Sequence, residues 1–476
     1  MPRGPARNAD TGRATLTERQ QEVLALMAVG LTNGEIAQRL GITLDGAKWH
    51  VAEVMRKLDA SSREEAVAVW RSGRSRWRGA ALLIPVAVGS IVAVAMFAVV
   101  IFVVREGTGT EDVAPSFTPT AASTPTPQPP HNVFEAVGPP SVTRNIHGAA
   151  LLPDGRVLLA GGNNISGQPV VHDSIEIFDP ATDQFTNGGR MLTARQTFTP
   201  VVLDDGRLLL AGGATETGAT AAAEIYDPVS RSSEPTGSMT VPRVFYGVAT
   251  LDDGRVLIIG GGAGADRATA EAYDPGTGKF ARVGSVPGMS AEAEPKVATV
   301  GGRVFVFADQ RGWEFDPSAG EFRQLDTPGG LTVLAPLPEL PTVLSDGLIL
   351  LTGGALAQPG ADPRAPHIAL RSAALFDPQS GDIVWRGSMG VPRTKHQVVL
   401  LDDGRVLIAG GTSDTQLGVV YESAEIFDPV TRTFSQAASM LEPRIWHSMT
   451  LLPDGRVLVV GTGQQPHVSG ADVYYP

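Results

Sequence analysis

Hydrophobic positions along the chain follow three successive rhythms. Between residues 15 and 70, apolar side chains recur three and four apart: Val23, Leu24, Met27, Ile36, Leu40, Ile42, Val51, Val54, Leu58 and Val67. That spacing puts them on one face of a helix, so the stretch predicts four short helices around a small shared core. Residues 79–104, GAALLIPVAVGSIVAVAMFAVVIFVV, then carry no charged side chain. At about 1.5 Å per residue, a helix of this length crosses about 30 Å of hydrocarbon. From residue 132 onward the apolar runs shorten to strand length, punctuated by glycine, proline and aspartate.

The first segment carries helix-start signals. Thr17 with Gln20, Thr32 with Glu35 and Ser62 with Glu65 each fit a capping box, and a helix ending at Gly41 with the next starting at Thr43 makes a tight helix-turn-helix. LTERQQEVLALMAVGLTNGEIAQRLGI and KWHVAEVMRKLDASSREEAV resemble the LuxR/GerE-type domain along nearly its whole length, here residues 14–72 behind a disordered N-terminus, 1–13. The resemblance implies an all-α four-helix domain whose third helix enters a DNA major groove, with Lys48 and Trp49 facing DNA and Lys57 meeting phosphate. The DNA-binding set is Thr43, Asp45, Lys48, Trp49, Arg56 and Lys57. Two places depart from the family: Gly46-Ala47 stands where Thr-Val is usual, and Gly34 where a basic residue is usual.

The flanks orient the apolar stretch. Arg71, Arg74, Arg76 and Arg78 precede it, whereas Arg105 alone follows before Glu106, Glu111 and Asp112, so the positive-inside rule keeps the N-terminus cytoplasmic. The stretch is longer than a signal-peptide core and begins some 78 residues into the chain, so it reads as a single transmembrane helix. The Pro/Thr-rich residues 105–131 then form an extended extracytoplasmic linker.

Residues 132–476 repeat. Gly155, Gly206, Gly254, Gly302, Gly347, Gly404 and Gly455 each precede a strand such as RVLLAGG, and each is followed by a second strand ending in FDP, YDP or, at the last, YYP. The double glycine and the aromatic-Asp-Pro resemble kelch repeats, which implies an all-β seven-bladed kelch-like propeller. The last unit stops at Pro476 without an outer strand, and VFEAV at 133–137 supplies a candidate for it. The Asp-Gly pairs read as two-residue hairpin turns and Asp-Pro as a turn after a strand, neither as a chemical site.

Positions that vary against the repeat are the informative ones. Eleven residues before each turn glycine stand Arg144, Arg195, Arg243, Ala291, Pro336, Arg393 and Arg444; eight before it stand His147, Phe198, Tyr246, Glu294, Glu339, His396 and His447. Two readings apply. In one, these residues pack and hydrogen-bond between blades. In the other they form a ligand-binding mouth built from Arg144, His147, Arg195, Tyr246, Glu294, Glu339, Arg393, His396, Arg444 and His447, with Arg144, Arg393 and Arg444 pairing an anionic group. No metal or other cofactor is expected.

Composition narrows the chemistry. The chain has no cysteine, which excludes disulfides, thiolate metal sites and the tyrosine–cysteine cofactor of kelch-like copper oxidases, so no enzyme activity is expected. Residues 1–78 hold 13 Lys+Arg against 9 Asp+Glu, and the remainder 25 against 41, so the two halves suit different partners. The expected protein is a membrane-tethered one-component transcriptional regulator in a bacterial cell membrane, crossing once. Its cytoplasmic domain binds double-stranded DNA, its exported propeller senses a ligand or protein, and a homodimer couples the two. The alternative is a surface-displayed binding or adhesion propeller, anchored by the span, with a degenerate helix-turn-helix.

Overall fold

Seven four-stranded antiparallel sheets follow one another from residue 133 to the C-terminus, each a blade of one propeller. The computed structural model describes residues 20, 23–24, 27, 33–40, 43–58, 60, 66, 131–164, 170–290, 293–326, 341–356, 367–416, 418–461 and 470–476. The disordered start expected at 1–13, the membrane span expected at 79–104 and the linker at 105–130 lie outside them. Among the described residues no helix is long and apolar enough to cross a membrane.

The second strand of each blade (VLLA, LLLA, VLII, RVFVFA, ILLT, VLIA, VLVV) is apolar without alternation because neighbouring blades cover both of its faces, and its apolar residues are all buried. Among the described residues the propeller core consists of seven apolar clusters, one at each blade interface. One of these joins the last blade to the first, where Leu458, Val460 and Val473 meet Val157, Leu159 and Phe178. The ring is therefore closed.

Closure comes from the N-terminal strand. Val133–Val137 pairs antiparallel with Ala471–Tyr475 and forms the outer strand of blade 7, in the register Val133↔Tyr475 to Val137↔Ala471. Phe134 is buried there with its ring 4.7 Å from that of Tyr474.

The turns refine one expectation. In Leu152-Pro153-Asp154-Gly155-Arg156, the Leu152 amide donates to the Arg156 carbonyl at 2.7 Å and Gly155 donates back to Leu152 at 2.9 Å. Gly155 has φ +85° while Asp154 does not have positive φ, so the loop has three residues closed by a left-handed glycine rather than two residues in a primed turn. The Asp154 carboxylate accepts from the Arg156 amide and guanidinium, and the same Asp–Arg clasp recurs at 205/207, 253/255, 403/405 and 454/456. Asp-Pro is likewise a turn: Asp179, Asp227, Asp274, Asp316, Asp377 and Asp428 each accept a backbone amide two residues on.

The N-terminal region belongs to a separate unit, Met1–Thr124, distinct from Pro125–Pro476. Its described helices are Asn33–Leu40 and Leu44–Lys57, and Gln20, Val23, Leu24, Met27 and Ala66 are helical as well. Val23, Leu24, Met27, Ile36, Ala37, Ala47, Val51, Val54 and Ala66 form one buried cluster.

Candidate functional site

The helix Leu44–Lys57 is positioned by its cap and its apolar stripe. Thr43 is extended (φ −69°, ψ 156°) and its Oγ1 accepts from the Gly46 amide at 3.1 Å. Gly46 thus lies in the first turn and its amide donates the capping bond, where a glycine costs less than in a helix interior. Ala47, Val51 and Val54 face the core, while Lys48, Trp49, Ala52 and Arg56 are exposed, Trp49 at 60% of its surface. Arg56 is paired along the helix with Glu53. Lys57 is half-buried and donates to Gln20 Oε1 at 2.8 Å, which ties the helix end to the first helical segment. The Trp49 ring stands edge-on to His50 at 4.9 Å. The structure thus brings Thr43, Lys48, Trp49 and Arg56 to the surface of one helix. The side chain of Asp45 lies outside those described.

In the propeller, Arg144, Arg195, Arg243, Arg393 and Arg444 are fully buried. Each binds a carboxylate on the third strand of its own blade: Glu176, Glu224, Glu271, Glu425 and Asp472, at 2.6, 2.7, 2.8, 2.8 and 3.0 Å. Nη1 of each also donates to the carbonyl of the glycine that follows the blade's second strand (Gly161, Gly212, Gly260, Gly410, Gly461) and to a second carbonyl at 2.9–3.2 Å. The carboxylates bond onward: Glu425 accepts the Gly390 and Val391 amides at 2.6 and 3.0 Å. The arginines therefore hold their own blades together. The anion pairing expected of Arg144, Arg393 and Arg444 gives way to internal ion pairs, as does the mouth position of Arg195, because these guanidinium groups are buried.

The sequence carries a signal for these carboxylates that the repeat glycines do not supply: a single acidic residue inside an otherwise apolar strand, three positions before the Asp of Asp-Pro or, in the last unit, before Tyr475. Where units 4 and 5 lack the arginine (Ala291, Pro336), that position is Trp313 or Ala374, so the two partners are absent together. Trp313 is buried, and its indole N–H donates to the Pro287 carbonyl at 3.0 Å.

The second ring lodges between blades. Tyr246 Oη donates to the Ala211 carbonyl of the preceding blade at 2.5 Å, His396 Nε2 meets Thr352 Oγ1 at 2.9 Å, and His147 Nε2 meets Ser448 Oγ at 2.9 Å across the closure. Phe198 is buried at the same position in blade 2. His447 is buried with neither ring nitrogen partnered among the described residues. Burial holds His147 at about 3 and keeps His396 and His447 well below the ordinary histidine range; nearby arginines add to the effect. All three are neutral at physiological pH.

The glycine pairs explain the close fit. The Gly411 amide donates to the Arg444 carbonyl of the next blade at 2.9 Å, and a Cβ on Gly410 would lie 2.7 Å from that carbonyl and 2.6 Å from His447 Cε1. Glu294 is half-exposed and pairs with Lys296 at 3.6 Å, and Glu339 lies outside the described residues. Among the described residues no three metal-ligating side chains converge.

One set of residues escaped the sequence reading. Ile146, Thr197, Phe245, Lys395 and Trp446, each between its arginine and the interblade ring residue, adopt φ of 52–58°. Such backbone is costly for β-branched and bulky residues and persists because the surroundings fix it. The Thr197 amide donates to Ile146 and the Ile146 amide to Trp446, at 2.9 and 3.1 Å, linking blades 2, 1 and 7. Lys395 Nζ lies 4.6 Å from the centre of the Trp446 ring.

Comparison with known proteins divides at the same boundary. Residues 14–70 match the model of bacterial regulatory proteins of the luxR family, and residues 393–441 match the kelch motif. Over 52 residues the chain is 44% identical to the transcriptional regulatory protein LiaR of Bacillus subtilis and to the response regulator protein VraR of Staphylococcus aureus, 11% of this chain and 25% of each of theirs. The chain thus spans a quarter of the length of these relatives. The structure is similar to a fungal alcohol oxidase of the AA5 family solved in complex with copper, with TM-score 0.55 and 17% identity over 72% of this chain and 76% of that one. That likeness concerns the fold alone. The N-terminal unit carries a LuxR-type helix-turn-helix domain and the C-terminal unit a seven-bladed propeller with a kelch motif.

Proposed function

We propose that the chain is a membrane-tethered transcriptional regulator whose N-terminal domain binds double-stranded DNA and whose propeller recognises a partner on the far side of the membrane. The observation that carries this reading is the exposed face Lys48–Trp49–Ala52–Arg56 on a Thr43-capped helix, within a domain matched by the luxR model and similar to two regulators. Such a helix places cations against phosphate and side chains against base edges. The tether rests on the uncharged residues 79–104 and the four arginines before them. The propeller acts by binding rather than catalysis: its buried arginines are internally paired and the chain lacks cysteine. Coupling runs through a homodimer, because a single span has no second helix to slide against.

The full chain in detergent, mixed with genomic fragments at stated salt, should enrich particular fragments, and a Lys48→Ala, Trp49→Ala variant should lose that enrichment. Weak, uniform retention unchanged in the variant would overturn the DNA reading and leave the propeller as the functional part, displayed on the surface.

A further inference from the structure

The interface between blades 5 and 6 departs from a pattern that the 1/2, 2/3 and 3/4 interfaces share. Two residues before the interface methionine or valine at the end of the outer strand, blades 1, 2 and 3 carry Gly189, Gly237 and Gly284. Each receives the outer-hairpin turn of the next blade: a Cβ there would lie 2.2 Å from the Arg231 carbonyl oxygen, 2.4 Å from that of Gly278 and 2.6 Å from that of Gly320. The rim is thereby zipped shut. In blade 5 the same position is Gly387, but its three nearest atoms all belong to the Trp385 indole, at 2.2–3.2 Å.

The cause is local. In DIVWRGS the pairing slips between Leu375 and Phe376, so Phe376 faces Ile383 and Leu375 faces Trp385, whereas blade 3 slips farther from its turn, between Ala270 and Glu271. The displaced bulge sets the indole on Gly387 and against blade 6, with ring centres 5.3 Å from Phe427 and 6.4 Å from Phe434. Beside it a cleft of about 600 Å³ opens between the two outer strands. Trp385 and Phe434 supply aromatic surface, Ser388, Ser423 and Gln436 supply hydroxyl and amide groups, and Arg432 lies at the rim. Arg432 is exposed, at φ 56°, and makes no ion pair among the described residues. The one carboxylate in the lining, Glu425, is already saturated by two amides and Arg393.

The geometry points to this cleft as a binding site for a short acidic saccharide, its ring against the Trp385 wall and its carboxylate on Arg432. The volume lies in the range of small-ligand sites. An indole fixed by a glycine seat is a rigid apolar platform with little entropy to lose on binding. Neutral hydrogen-bonding groups suit sugar hydroxyls, and an unpaired guanidinium beside a neutralised carboxylate selects an anion. This inference goes beyond the regulator reading and stands whether or not the N-terminal domain binds DNA.

The probe is the α-1,4-linked trimer of galacturonic acid, titrated calorimetrically into the full chain in detergent, with the neutral galactose trimer alongside. Saturable binding of the acidic trimer is expected, weakened at least tenfold by Trp385→Ala and by Arg432→Gly. Glycine keeps the left-handed turn without strain, so the second variant tests the charge apart from folding. Arg231→Gly, at the matching turn of the closed blade 1/2 interface, should leave binding unchanged. Absence of saturable binding, equal affinity for the neutral trimer, or equal losses in Arg432→Gly and Arg231→Gly would each overturn the proposal.

Discussion

At the scale of single residues, the arginine ring shows how a motif with a chemical look serves architecture. Arg393 is enclosed by Glu425 and two carbonyls, so truncating it strands a buried carboxylate and unpaired backbone. Arg393→Ala should cost about 3–5 kcal/mol of stability, read from urea unfolding of the propeller signal; a cost below about 1 kcal/mol would return this arginine to a ligand role. His447 makes the opposite case. Its pKa in the folded chain lies below that of the unfolded chain, about 6.5, because burial and the nearby Arg444 disfavour the cation. The unfolded chain therefore binds protons first as pH falls. Stability is intact above about pH 6.5 and is lost below it, over a window that for His147 reaches down to about 3. The matching position in blade 2 is Phe198, and His447 has no described hydrogen bond to lose. His447→Phe should thus retain the melting temperature at pH 7.5 and lose less of it at pH 5 than the parent. An unchanged acid slope would mean that this ring is not held neutral.

At the scale of strands and helices, much was legible because the repeat writes each element several times. Seven turn glycines, the apolar second strands and the orphan VFEAV were enough to assemble the ring and close it. Phe134→Ala should cost about 3–5 kcal/mol, since it empties a buried site between the closing strand and Tyr474; differential scanning calorimetry that finds the variant as stable as the parent would mean the strand does not seal blade 7. What the pattern did not yield was side-chain direction. Arg144 and His147 are three residues apart, yet Ile146 between them is left-handed, and the arginine turns into its own blade while the histidine turns toward blade 7. A period-two rhythm does not encode such a reversal in a non-glycine residue. The Trp385 wedge was hidden for a related reason, because a bulge shifted along one strand leaves the hydrophobic pattern nearly unchanged. On the helix Leu44–Lys57 the buried Val51 and Val54 followed from spacing and the outward Lys48 and Trp49 from the family resemblance, whereas the tie between Lys57 and Gln20 joins residues 37 apart, beyond the reach of periodicity.

At the scale of the whole chain, the proposed regulator has two units of different charge and fold, which the proposal assigns to opposite sides of one membrane. The absence of cysteine makes this directly measurable, since any introduced thiol is the sole reactive one. Val430 is 89% exposed on an outer turn of the propeller, and Arg56 is exposed on the helix Leu44–Lys57. Single variants Val430→Cys and Arg56→Cys, expressed in bacterial cells, are treated with a membrane-impermeant maleimide before and after lysis. The account predicts that the thiol at 430 is labelled in intact cells and the thiol at 56 only after lysis. Labelling of both in intact cells, or of neither until lysis, would contradict it.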